Sequence, residues 1–152
     1  MESSLTSTRS QEDSRAFRRK NSRKSSSSQT QICALLSIKP PYAEAIFRGE
    51  KRFEFRRAIF RQAVDVVVVY ITSPTCRVVG EFDVTEVISD SVEDLWTRTS
   101  PYAGIDRSAF LNYFTGREIA HAIRIGKVRK YKKPLELIKT YGIRAPQSFV
   151  YI

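Results

Sequence analysis

Hydrophobic and polar positions divide the chain into two parts. Residues 1–31 are rich in Ser, Thr, Gln and Arg and hold few apolar side chains. Such a segment buries too little apolar surface to offset the entropy lost on ordering, so we expect a disordered basic tail. From Ile32 onward apolar residues recur with the spacing of strands and helices. The sequence therefore predicts one folded domain over residues 32–152.

The folded part begins with a strand, a helix and two more strands. Residues 34–38 have the composition of a short strand, and the two prolines that follow favour a first helical turn, in a helix that Gly49 ends. Residues 51–56 alternate charged and aromatic side chains, which is the period of a half-buried strand. Residues 66–71 form a continuous, mainly β-branched run that is typical of a central strand.

The second half of the chain predicts further strands with short helices between them. We expect a long strand over 76–88 that bends near Gly80, two helices capped by Ser91 and Asp106, a strand over 119–125, a short helical connector over 134–141 and a closing strand over 148–152. Five or six strands with short peripheral helices predict an α+β fold, a small mixed β-barrel.

Charge narrows the class of partner. The chain has 26 Lys and Arg residues against 16 Asp and Glu residues, a formal net charge of +10. Such an excess favours polyanions: RNA, DNA or an anionic membrane surface. No apolar run approaches the roughly 20 residues of a membrane helix, and the N-terminus has no apolar signal region. We therefore expect a cytoplasmic protein without a membrane partner.

Two cysteines and one histidine are too few for a zinc-ligand cluster, and the sequence predicts reduced thiols, no metal site and no cofactor.

Four sequence blocks occur in a fixed order along the folded part. The first has the core Gly49-x-Lys51-x-x-Glu54-x-Arg56, preceded by Lys39 and a predicted helix; the others are Tyr-Ile-Thr-Ser-Pro at 70–74, Val-Gly-Glu-Phe at 79–82 and Pro-Gln-Ser-Phe at 146–149. With these blocks, residues 34–152 resemble the ASCH domain family. The resemblance implies a PUA-like β-barrel with a cleft beside its strand–helix–strand opening, and an association with RNA. Some relatives are nucleoside or RNA hydrolases.

One position departs from a subgroup of that family. In the small amidohydrolases that act on acetylated cytidine, the resemblance leads us to expect a Thr nucleophile three residues after the motif lysine. Glu54 stands there instead. A carboxylate beside a lysine forms an ion pair and is not an activated hydroxyl, which disfavours the amidohydrolase reaction.

The motif residues have the chemistry of a basic binding cleft. Lys51 and Arg56 suit phosphate, Glu54 suits a base edge or the orientation of the two cations, and Lys39 precedes a helix N-terminus that favours anions. The predicted rim residues are Ser73, Gln147 and Ser148. The alternative for the motif is an exposed strand face whose alternating charges keep it soluble.

A second basic feature is the run over 124–133. It holds Arg124, Lys127, Arg129, Lys130, Lys132 and Lys133 with no acidic residue. We predict that this run, with Arg129 and Lys130 at its centre, extends the phosphate track; a solvated face is the alternative. The basic residues at 18–20 and 23–24 of the tail either touch phosphates or belong to a solvated leader.

Three functions remain open on these grounds. The first is an RNA- or nucleotide-binding module, regulatory and without catalysis. The second is a ribonuclease or modified-nucleoside hydrolase in which Lys51 stabilises a developing anion and Glu54 moves protons, with Tyr42 as a further acid or base. The third is a protein-interaction module whose basic surface is incidental.

Overall fold

The computed structural model describes residues 30–152, so the predicted tail lies outside the described residues except for its last two positions. Within this range the chain forms six strands, four α-helices and one 3-10 helix. In chain order they are β1 (Cys33–Ile38), α1 (Pro40–Phe47), β2 (Phe53–Arg56), β3 (Val66–Ile71), β4 (Arg77–Ser91), α2 (Val92–Thr99), the 3-10 helix (Ser100–Tyr102), α3 (Arg107–Tyr113), β5 (Ile119–Leu135), α4 (Leu137–Tyr141) and β6 (Phe149–Tyr151).

All six strands belong to one sheet in the order β2-β5-β4-β3-β1-β6. Strands β1 and β3 run parallel, whereas the other neighbouring pairs are antiparallel. The register between β4 and β5 shifts at three places, and such bulges bend and twist a sheet. The predicted irregularity near Gly80 is confirmed, because the register shifts between Val78 and Gly80 in the pairings of β4 with both β3 and β5.

Apolar side chains cover both faces of the central strands. On one face Leu36, Val67 and Val69 pack with Ile46 of α1, and on the other Leu35 and Val68 pack with Leu137 of α4. This two-sided burial explains the continuous apolar run of β3.

A separate apolar cluster joins β2 to the helical segment. Phe55 contacts Phe110 of α3 with ring centres 4.9 Å apart, and Leu95 of α2 belongs to the same cluster. The predicted caps are confirmed, since the side chains of Ser91 and Asp106 accept hydrogen bonds from backbone N–H groups at 3.3 and 2.7 Å. The caps set where α2 and α3 begin, and the apolar cluster packs both helices beside β2, near the cleft described below.

The prediction for residues 119–141 is partly wrong. Strand β5 continues to Leu135, ten residues beyond the predicted end, because it pairs with β4 along this length. The predicted connector over 134–141 is helical only from Leu137. Within the described range, no helix combines the length and the apolar character needed to cross a membrane.

Candidate functional site

A cleft of about 750 Å³ lies where β1, β2, α3 and the segment before β6 meet. Eight residues singled out from the sequence line it together: Lys39, Tyr42, Lys51, Glu54, Arg56, Ser73, Gln147 and Ser148. Arg129 and Lys130 are not among its lining residues. Three of the four motif blocks therefore contribute residues to one cleft, and the block at 79–82 does not.

Strand β2 places Glu54 and Arg56 on the face opposite Phe53 and Phe55. It pairs with β5, and all four of its residues are buried; Glu54 is 6% exposed and Arg56 7%. The alternative of an exposed, solubilising strand face is therefore wrong for these two residues. Burying charged groups is costly unless they are paired or serve a ligand.

Lys51 turns into the same cluster from just before β2. It is 3% exposed, and its Nζ donates a hydrogen bond to the carbonyl oxygen of Ala103 at 2.9 Å. The ammonium nitrogen lies 4.6 Å from the centre of the Phe55 ring and 5.5 Å from that of Tyr42. Its nearest carboxylate oxygen is Oε2 of Glu54, at 3.9 Å. The lysine is therefore held mainly by a carbonyl and aromatic rings.

Arg56 connects two strands that are not neighbours in the sheet. Its Nη2 donates to the carbonyl oxygen of Ser37 on β1 at 2.9 Å, and its Nε lies 3.6 Å from Oε1 of Glu54. Neither Oε2 of Glu54 nor Nε of Arg56 has a hydrogen-bond partner among the described residues. A buried charged group with an unused donor or acceptor has capacity for a polar ligand.

Burial lowers the pKa of Lys51 from its ordinary value. The charge of Glu54 opposes this effect and that of Arg56 adds to it. Deprotonation of Lys51 is therefore easier than for a lysine in water.

Gly104 allows the chain to pass directly over Lys51. Its φ is +69°, and an added Cβ would lie 2.5 Å from the Cβ of Lys51. Gly142 has almost the same φ, +68°, but an added Cβ there would meet nothing within 4 Å. Substitution of Gly142 therefore adds only backbone strain, whereas substitution of Gly104 adds the same strain and a collision with Lys51.

We expect Gly104→Ala to lower the free energy of unfolding by about 2 kcal/mol more than Gly142→Ala does. The second variant carries only the left-handed backbone cost of roughly 1 kcal/mol. Urea unfolding of both variants measures the difference. Equal losses would show that the Gly104 loop does not constrain Lys51.

The basic run of residues 124–133 lies on β5, away from the cleft lining. Arg124 pairs with Glu86 at 3.2 Å, and Arg129 pairs with Asp83 at 2.7 Å and Glu81 at 3.2 Å. The hydrogen bonds that Arg129 donates to Asp83, above all, and to Glu81 raise the pKa of its guanidinium. Two of the six charges are therefore already paired across the β4–β5 ladder, a partnership that the sequence spacing did not predict.

Sequence reasoning missed the side of the cleft that α3 forms. Arg57, Tyr113 and Arg117 line it, and none of the three was among the residues predicted for the cleft. Burial raises the pKa of the Tyr113 hydroxyl, while the charge of Arg56 opposes the shift. Arg57 directly follows Arg56, the last residue of the motif, and this position is the one sequence signal that could have indicated it.

Comparison with known proteins places this arrangement in a family. Residues 36–136 match the ASCH domain model. The chain is 34% identical over 119 residues to a protein named ATP synthase subunit alpha from Ureaplasma parvum, a match that covers 78% of this chain but only 15% of that protein. It is 31% identical over 124 residues to an ASCH domain-containing ribonuclease from Zymomonas mobilis, covering 78% of this chain and 83% of the relative.

The fold is shared with a solved structure. The crystal structure of ASCH from Zymomonas mobilis superposes with a TM-score of 0.74 at 28% identity, and the match covers 79% of this chain and 87% of that one. The expected α+β, PUA-like fold is thereby confirmed. Together with the family match over residues 36–136, this likeness shows that the chain belongs to the ASCH domain family.

Proposed function

We propose that the cleft binds RNA, or a nucleotide, through its buried charged cluster. One observation carries the proposal: Lys51, Glu54 and Arg56 are together buried at a cleft of about 750 Å³, with one polar atom of Glu54 and one of Arg56 unpartnered. A group of net positive charge with free hydrogen-bonding capacity suits a phosphate beside a base or sugar.

The residues have distinct roles in this proposal. Lys51 and Arg56 attract the phosphate, and Glu54 accepts a hydrogen bond from a base edge or a ribose hydroxyl. Lys39, at the N-terminus of α1, adds charge at the rim. The polar side chains of Ser73, Gln147 and Ser148 provide donors and acceptors at the rim for a base. The idea that Arg129 and Lys130 extend the phosphate track stays a prediction.

Cleavage of the bound RNA is the second candidate function. The specific observation that favours it is the lowered pKa of Lys51, whose Nζ lies 3.9 Å from Oε2 of Glu54. The Zymomonas mobilis relative that is named a ribonuclease is 31% identical, and the match covers 83% of its length. A partly desolvated amine beside a carboxylate is a pair that can exchange protons with a substrate.

The cleavage step that this pair supports is an internal transfer within RNA. The ribose 2′-oxygen forms a bond to the adjacent phosphorus, and its proton passes to Glu54. The bond from phosphorus to the 5′-oxygen breaks, and Lys51 gives that oxygen a proton. The products are a 2′,3′-cyclic phosphate and a free 5′-hydroxyl, so no water is consumed. If the protein does not cleave RNA, we propose that it binds RNA in a regulatory role.

The domain limits and the location are also proposals. We propose that residues 32–152 form the binding domain, that residues 1–31 form a separate basic tail and that the protein acts in the cytoplasm.

Binding is tested with a labelled single-stranded RNA of mixed sequence at low salt. We expect Lys51→Ala to weaken the affinity by about tenfold or more, since a charged hydrogen-bonding partner contributes roughly 1.5–3 kcal/mol. Lys127→Ala, which removes an exposed lysine of β5, serves as the charge-matched control. Unchanged affinity in Lys51→Ala, confirmed to be folded by circular dichroism, would exclude this cleft as the binding site.

A further inference from the structure

The mouth of the cleft carries positive charge that the roles above do not use. Five basic side chains and one acidic side chain line the cleft among the described residues. Lys51 and Arg56 are buried beside Glu54, whereas Arg57 and Arg117 are exposed on the side of α3. Within residues 30–152, neither of these two exposed arginines takes part in a salt bridge.

Arg57 is held in one orientation by Tyr113. Its Nε donates a hydrogen bond to the Tyr113 carbonyl oxygen at 2.6 Å, and its guanidinium carbon lies 4.5 Å from the centre of the Tyr113 ring. The ring is in turn packed against Phe114, with ring centres 4.7 Å apart. An exposed guanidinium plane that is fixed against an aromatic ring offers a stacking surface for a nucleobase.

Arg117 reaches the same cleft from the end of α3. The chain turns at Gly116, where φ is +80°, and the backbone N–H of Arg117 donates to the Phe114 carbonyl oxygen at 2.9 Å. After this turn the Arg117 side chain lines the same cleft as Tyr113. The end of α3 therefore contributes both an edge-to-face aromatic pair and, within residues 30–152, a second cation outside any salt bridge.

The basic run on β5 offers no comparable arrangement. None of its six basic residues lines the cleft, and Arg124 and Arg129 are engaged by carboxylates of β4. Tyr131, which could have stacked on a base, donates its hydroxyl to Oε1 of Glu81 at 3.2 Å. Arg57 and Arg117 therefore adjoin the inner cleft directly, whereas the basic residues of β5 lie outside its lining. An RNA strand that leaves the inner cleft would meet the two arginines first.

We propose that Arg57, Tyr113 and Arg117 form a second nucleotide subsite at the mouth of the cleft, so that the ligand is single-stranded RNA of at least two nucleotides. This inference rests on the proposed binding function. One nucleotide occupies the inner cleft against Lys51 and Arg56. The next stacks its base on the Arg57 guanidinium, and a phosphate of the strand pairs with Arg117.

The test compares a mixed-sequence RNA octamer with nucleoside 5′-monophosphates. In Arg57→Ala/Arg117→Ala we expect octamer affinity to fall by about tenfold or more, since the variant loses a base-stacking surface and a phosphate contact together. Affinity for the monophosphates stays within twofold. The slope of log affinity against log salt for the octamer falls by about 0.7 for each lost phosphate contact. Arg57→Lys, which keeps the charge but not the plane, loses affinity while retaining the slope.

Lys127→Ala/Lys132→Ala is the matched control, because it removes two exposed lysines from the β5 run. Octamer affinity unchanged in the arginine variant but reduced in this control would overturn the subsite and favour a path along β5. Equal losses of octamer and monophosphate affinity would also overturn it, because the arginines would then serve the inner cleft. If Lys51→Ala leaves octamer binding unchanged, the inner cleft fails, whatever the arginine variants show.

Discussion

Lys51→Met is expected to reduce the rate of RNA cleavage by about a thousandfold, within the range of 10² to 10⁴ that a positioned proton donor contributes. The lysine is the one buried amine of the cleft, its pKa is lowered by burial, and it lies 3.9 Å from Glu54. Methionine keeps an unbranched, buried side chain that is one heavy atom shorter, and it removes the ammonium group with its contacts to Phe55 and Tyr42, its charge and its proton. The rate is measured in single-turnover experiments with saturating protein, so that all RNA is bound and a loss of affinity does not change the measured rate.

Two comparisons distinguish the chemical roles. Lys51→Arg keeps a positive charge that does not give up its proton, so it retains phosphate affinity but cleaves slowly if Lys51 protonates the leaving oxygen. An RNA with a single 2′-deoxyribose at the cleavage position remains intact if the 2′-oxygen is the nucleophile. Wild-type cleavage rates in Lys51→Met would remove the lysine from the reaction, and cleavage at the deoxyribose would exclude the internal transfer.

The family resemblance carried by the four motif blocks led us to expect a cleft beside the strand–helix–strand opening, and motif residues from several strand ends do line one cleft. Lys39 follows β1, Lys51 precedes β2, Ser73 follows β3 and Ser148 precedes β6, and the sheet topology brings these ends together. Local signals also predicted most elements, because caps such as Ser91 and the apolar run of β3 depend on neighbouring residues alone. Residues at strand ends are therefore the part of a site that sequence order predicts best.

The burial of Glu54 and Arg56 could not be predicted from their spacing. Charged residues that alternate with aromatic ones have the same pattern whether the polar face meets solvent or lines a cleft. The covering elements, α3 and the segment before β6, are distant in sequence, and Arg56 contacts β1 across the sheet order. Tertiary contacts therefore determine whether the polar face of β2 meets solvent or lines a cleft.

The same limit applies to Arg129. Its partners, Glu81 and Asp83, lie more than forty residues earlier, and the pairing of β4 with β5 that brings them together contains register shifts. A run of like charges in sequence therefore predicted a free basic surface, whereas cross-strand pairing engages part of it. The number of basic residues on one strand therefore describes the charge of a surface only when the acidic residues of the neighbouring strand are known.

Glu54→Leu is expected to lower the free energy of unfolding by about 3 kcal/mol. The change leaves Lys51 and Arg56, both more than nine-tenths buried, without their shared carboxylate. Removal of one partner from a buried ion pair costs roughly 3–5 kcal/mol, and separations of 3.9 and 3.6 Å, longer than hydrogen bonds, place this pair at the lower end. Urea unfolding measures the loss.

Glu86→Leu is the matched control, since Glu86 pairs with Arg124 at 3.2 Å on the exposed surface. We expect it to cost less than 1 kcal/mol, as surface pairs do. A loss in Glu54→Leu as small as this control would show that the buried carboxylate does not stabilise the two cations.

The double variant Lys51→Met/Glu54→Leu shows what the buried charges are for. Removing Lys51 as well abolishes its repulsion with Arg56, so we expect the double variant to recover about 1–2 kcal/mol relative to Glu54→Leu. If the charged cluster exists to bind RNA, this recovery of stability comes with no recovery of RNA affinity. A double variant that regained both would make the cluster a structural device, and the cleft would have to bind RNA through its rim alone.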